Sequence, residues 1–156
     1  MSAVRIIGIG NPDRGDDGAG PAVIAALRAA PPLGAELSTA RGDMVALLDS
    51  WTATDRVFLI DALAPESTPG RVLRLDAGAT PVAAEFAAFA STHVFNLAET
   101  IELARALGRL PAMLVVYGIE AAGCDPGAPL SPTVAQAVPE VAALLQKECD
   151  QCTKPR

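Results

Sequence analysis

The chain has 156 residues, 51% of them hydrophobic and 19% charged, which suits one domain with a real core and excludes disorder for most of its length. Its 18 acidic and 12 basic residues leave a formal net charge of −6, and no basic stripe offers the counterion release that nucleic-acid binding requires. No apolar run approaches the ~20 residues that span a bilayer. The opening Met1-Ser2-Ala3-Val4-Arg5 leads into a strand without the pattern of a secretory signal, so a cytoplasmic protein with neither nucleic acid nor membrane as partner is expected.

Val4–Ile9 is a continuous, β-branched apolar run and reads as a buried strand. A glycine-rich loop, Gly10–Gly20, follows it. Pro21–Ala30 places Val23, Ile24 and Leu27 at helical spacing and ends at Pro31-Pro32. Ala35–Ser38 is a weak strand and Met44–Trp51 a short helix. Val57–Ile60 is the next buried strand, with Asp61 directly after it. Ala62–Gly70 reads as a loop, Val72–Leu75 as a short strand, and Asp76 to Thr92 as ambiguous. Asn96–Leu107 is the clearest helix, with Asn96 and Glu99 in capping-box positions. Leu114–Tyr117 is a further strand. Ser131-Pro132 opens the last helix with a capping serine and a first-turn proline. Its stripe is Val134, Val138, Val141 and Leu145; Pro139 is expected to kink it or to mark where its regular part begins.

Strands alternating with helices predict a single α/β domain, three-layered, with a twisted, mostly parallel sheet of about five strands. The domain is expected over residues 1–148, with 149–156 as a C-terminal tail. Cys149 and Cys152 have C-x-x-C spacing, but they neither open a helix after a strand nor have a second pair, so they read as tail residues. In open α/β sheets ligands bind at the carboxyl ends of the strands, which directs attention to three places.

The first is Gly8-Ile9-Gly10-Asn11-Pro12-Asp13-Arg14-Gly15-Asp16-Asp17-Gly18-Ala19-Gly20. It lies between a strand and a helix, as a dinucleotide loop would. However, Asp13 takes the place of the third glycine, and Asp16 and Asp17 would repel a pyrophosphate at the helix start. Negative charge there suits a cation, or else one aspartate merely caps the helix. The second place is Asp61, at a strand end, where the plain alternative is a turn-forming aspartate. The third is His93, the chain's one histidine, which could equally be a helix-entry residue. Together Asp17, Asp61 and His93 offer two oxygens and an imidazole nitrogen to a divalent ion such as nickel or zinc. Three protein ligands leave coordination positions open. No G-x-S-x-G elbow supports a serine nucleophile, and Cys124 is a weakly supported partner for His93.

These motifs resemble the endopeptidases that mature nickel–iron hydrogenases. Gly10-Asn11 with Gly15-Asp16-Asp17-Gly18-Ala19-Gly20 resembles that family's N-terminal signature, Ile60-Asp61-Ala62 its second acidic motif and Thr92-His93 its histidine motif. Leu130-Ser131-Pro132-Thr133 resembles the entry to its last helix. The resemblance runs in register over roughly residues 4–146. It implies removal of a C-terminal extension from the hydrogenase large-subunit precursor after nickel insertion; a monomer when free is expected. It also implies that Asp17, Asp61 and His93 contact nickel supplied by the precursor, other divalent ions being able to substitute. Asp16 would order the loop or assist with a proton. The family's Asp-Gly-Gly motif after the second strand is altered here to Ser38-Thr39-Ala40-Arg41-Gly42-Asp43, in a loop that bears on substrate recognition. Two rival readings stand beside this one: a non-catalytic, metal-sensing checkpoint that binds the precursor, and a metallohydrolase of small substrates.

Overall fold

The structure is a computed structural model and describes residues 2–79 and 97–154. The strands are β1 (Val4–Ile9), β2 (Ala35–Ala40), β3 (Arg56–Leu63), β4 (Val72–Asp76) and β5 (Met113–Glu120); the helices are α1 (Ala19–Ala29), α2 (Met44–Leu48), α3 (Leu97–Ala106) and α4 (Pro132–Thr153). The sheet order is β2-β1-β3-β5-β4. All pairings are parallel except that of the edge strand β4, which runs antiparallel to β5. The predicted α/β architecture is therefore present.

Period-two alternation along the central strands splits the core into two layers. Phe58 and Ile60 pack with Val23, Ile24 and Leu27 of α1 and Val134, Val141 and Leu145 of α4. Val57 and Leu59 face the other way, with Leu47 and Leu48 of α2 and Leu97, Ile101 and Ala104 of α3. β3 and β5 have helices on both sides, so their apolar runs are nearly continuous.

Several boundaries move. β3 runs to Leu63, so Asp61 lies within a strand rather than after it. α1 begins at Ala19, two residues before Pro21. α4 starts at Pro132 and continues unbroken past Pro139, so Pro139 does not mark its beginning. Nor does the chain become a tail at Cys149. The stripe Val134, Val138, Val141, Leu145 simply extends to Cys149, which is fully buried in the same cluster. Burial, with Cys152, Asp150 and Glu148 adding to it, pushes the Cys149 thiol up to about 12, as befits an inert core thiol. Asn96, the expected cap of α3, lies outside the described residues. No helix among the described residues is long and apolar enough to cross a membrane.

The amino ends of the central strands β1 and β3 are tied by Asp55. Its buried carboxylate accepts from Arg5 Nε at 2.7 Å, Thr52 N at 2.8 Å and Ala3 N at 3.0 Å. The Arg5 hydrogen bond first, then the two backbone N–H groups, hold this carboxyl well below the usual range. A depressed folded value means that the associated stability is complete above the ordinary aspartate value of ~3.9 and is lost as pH falls below it. Asp55→Asn is therefore expected to be less stable than the parent at pH 7, with the difference shrinking below pH ~4. Urea unfolding midpoints of both proteins across that range check this.

Candidate active site

The strand order reverses at β1: the chain leaves β1 for β2 on one side and returns to β3 on the other. The crevice at the carboxyl ends of β1 and β3 is thus the topological switch point, where such sheets bind ligands. The loop after β1 carries Asp17, and the end of β3 carries Asp61.

Asp17 lies in a 3₁₀ turn, Gly15–Gly18, that leads directly into α1. Its side chain is 3% exposed, and Oδ2 accepts from Asn11 N at 3.0 Å. The loop folds back on itself tightly. Gly10 has φ +141°, and a Cβ there would fall 1.9 Å from the Asp17 carbonyl oxygen, so only glycine fits. The 3₁₀ turn packs on β3. Asp61 is 1% exposed. It pairs with Gly118 of β5, while β1 reaches only to Gly8 opposite Ile60. Asp61 therefore sits one residue past the last β1–β3 pair, Gly8–Ile60, toward the carboxyl end of the parallel strands. The structure brings Asp17 and Asp61 to one pole of the molecule.

His93 lies outside the described residues. Among the described residues no three His, Cys, Asp or Glu side chains gather as a metal site. The two carboxylates are oxygen donors of the kind a hard-to-borderline cation takes, and both are nearly buried.

Asp16 has a different task from its neighbour. It is 1% exposed, and its oxygens accept four hydrogen bonds: from Ala122 N at 2.8 Å, Gly123 N at 3.3 Å, Ser131 N at 2.7 Å and Ser131 Oγ at 2.8 Å. All four come from the loop between β5 and α4. The backbone adds Asp16 N to Gly123 O at 3.0 Å and Gly15 N to Ala128 O at 3.0 Å. Asp16 thus orders the loop, one of its two expected roles. Ser131 does not cap α4 with its side chain; its hydroxyl serves Asp16 instead. Sequence reasoning missed this pairing because 115 residues separate the partners, and no local pattern links them. Asp16→Asn would turn an NH₂ toward donors that now meet an oxygen. A loss of ~1–3 kcal/mol is expected from the mismatched buried donors, seen as a lower urea midpoint.

The altered segment after β2 borders the same pole. Asp43, the displaced acid, caps α2 by accepting from Ala46 N at 3.1 Å. A cavity of about 440 Å³ opens there, with Ile7 and Leu47 inside and Ser38, Arg41 and Asp43 around it. Cys124 lies beside Gly15, whose added Cβ would stand 3.3 Å from the Cys124 Cα; its expected partner His93 lies outside the described residues.

Residues 39–148 match the family described as HycI, hydrogenase maturation protease. Among solved structures, the [NiFe] hydrogenase maturation protease HybD from Thermococcus kodakarensis has a TM-score of 0.74 and 26% identity, over 94% of this chain and 99% of that one. The hydrogenase 2 maturation peptidase from Thaumarchaeota archaeon SCGC_AB-539-E09 has a TM-score of 0.63 and 25% identity, over 94% and 97%. The E. coli hydrogenase maturating endopeptidase HybD has a TM-score of 0.78 over 97% and 94%, and at 20% identity it speaks for the fold. Comparison with the curated proteins finds no sequence match. The family match spans well over half of the chain, so this chain belongs to the hydrogenase maturation protease family and is a maturation endopeptidase, a hydrolase of peptide bonds.

Proposed function

We propose that this endopeptidase removes the C-terminal extension of a nickel–iron hydrogenase large-subunit precursor, and that it reads the inserted nickel through Asp17, Asp61 and His93. The observation that carries this reading is the division of labour in the glycine loop. Asp16 accepts four hydrogen bonds from the loop before α4, whereas Asp17, next in the chain, lies with Asp61 of β3 toward the carboxyl ends of the parallel strands.

In this reading nickel arrives as part of the substrate. When bound, it would polarise the scissile carbonyl or activate a water. The chain's own residues hold and orient: Asn11 N fixes one oxygen of Asp17, and the rigid β3 backbone fixes Asp61. Two carboxylates and an imidazole suit nickel or zinc better than calcium or copper(I). A precursor without the ion loses that contact, so its affinity for the site falls and cleavage becomes conditional on loading.

The test is mass spectrometry of the precursor C-terminus after incubation with the purified protein. A shortened product from the nickel-loaded precursor alone is expected. Equal cleavage of loaded and unloaded precursor sinks the nickel-reading step. A nickel-loaded precursor that keeps its intact C-terminus sinks the substrate assignment.

A further inference from the structure

At the pole opposite the switch point lies a cavity of about 570 Å³, within the size range of small-molecule sites. The first residues of β3 and β5, Arg56 and Met113, form one side, and the last turns of α4 form another, with Arg74 of β4 at its border. Nothing in the peptidase reading uses it.

Its charges do not cancel. Among the described residues Glu148 is the one carboxylate lining it, and that carboxylate is fully engaged. It accepts from Arg74 Nε at 3.2 Å and Arg74 Nη2 at 2.5 Å, and also from the Tyr117 hydroxyl. Burial and Glu148 push Tyr117 up to about 12, so the phenol stays neutral and the Arg74–Glu148 pair is a neutral unit. Two cations remain, Arg56 and Lys154. Arg56 Nη1 donates to the Cys152 carbonyl at 2.7 Å, a neutral acceptor that fixes the guanidinium and leaves other donors of its fork available. Among the described residues neither Arg56 nor Lys154 has an ion-pair partner. Gln151 adds an amide to the lining.

We propose that this cavity is a binding site for a small phosphate-bearing anion. A phosphate group carries about −1.5 to −2 charges near neutrality, which matches the two uncompensated cations. A guanidinium fork engages two of its oxygens, and a lysine acts as a point charge on a third. The protein as a whole carries −6, so a concave cationic spot runs against its general field and concentrates anions locally.

The test uses the purified full-length chain, with inorganic phosphate and pyrophosphate as probes at ionic strength held constant by sodium chloride. Amide NMR shifts give both site and affinity. Saturable shifts are expected at Arg56 and at residues 151–154. Lys154→Gln and Arg56→Gln should each weaken binding ~10-fold or more, the loss of one charge-assisted contact, while precursor cleavage stays at the parental rate and shows that both variants fold. Saturation by phosphate identifies the free ion as sufficient, and saturation by pyrophosphate alone identifies a diphosphate group; either supports the site. Shifts that follow chloride equally, that persist in both variants, or that gather at Asn11–Asp17 overturn it.

Discussion

Asp17→Asn, Asp61→Asn and His93→Ala are each expected to slow cleavage of the nickel-loaded precursor by at least ~10²-fold, the scale of losing a metal-contacting or proton-handling group. The two asparagines are close in shape to the aspartates they replace. At position 17 the amide oxygen can still accept from Asn11 N, the contact that now holds Oδ2, so the loop keeps its course. What disappears is negative charge at that pole, and with it the contact to nickel that the proposed function assigns to these residues. Residues that act as one unit do not add, so the double variant Asp17→Asn/Asp61→Asn should be little slower than either single one. Single-turnover cleavage measures the rates, with thermal unfolding as the control for folding. Parental activity in any one of the three variants would remove that residue from the site.

Gly20→Ala is expected to cost ~3 kcal/mol or more, the upper end of what overpacking does. Gly20 is the second residue of α1. A Cβ there would fall 2.6 Å from the carbonyl oxygens of Ile60 and Ile9 and 2.7 Å from Ile9 N. These are backbone atoms of two paired strands, and they cannot turn aside as a side chain would. The start of α1 would have to lift from the sheet. Because the 3₁₀ turn Gly15–Gly18 leads straight into this helix, lifting it carries Asp17 away from Asp61. The variant should therefore lose activity even where it remains folded. Gly123→Ala is the matched control: a Cβ there meets nothing within 4 Å, and the backbone N–H that serves Asp16 is retained. It should stay within ~0.5 kcal/mol of the parent. Urea midpoints and cleavage rates for the pair check both statements.

The sheet was legible because its central strands are buried on both faces, and such strands announce themselves as unbroken apolar runs: Val57–Ile60 and Leu114–Tyr117 lie inside β3 and β5. The rims were less legible. Asp61 looked like a strand terminus because its charge ends the apolar run, yet β5 continues alongside it and keeps the backbone paired through Leu63. Cys149 looked like part of a tail because the sequence after it is polar, although the four-residue step from Leu145 already placed it on the buried stripe. Asp16 and Asp17 are adjacent and chemically identical, so nothing local could assign one to the fold and the other to the crevice. That assignment comes from Ala122, Gly123 and Ser131, which reach Asp16 across the whole length of the domain. The position of Asp17 and Asp61 at a common pole, by contrast, followed from the rule that parallel sheets carry chemistry at their carboxyl edge.

The clasp between Asp16 and Ser131 also sets an order of events during synthesis. The glycine loop leaves the ribosome early, but its anchoring donors belong to the segment that precedes the final helix and are translated more than a hundred residues later. A nascent chain that has made only β1 and α1 lacks the lock that presents Asp17, and the helix α4 that shields α1. Ordering of the Asp16–Asp17 turn therefore waits for the Ala122–Ser131 segment and cannot come with β1 and α1 alone.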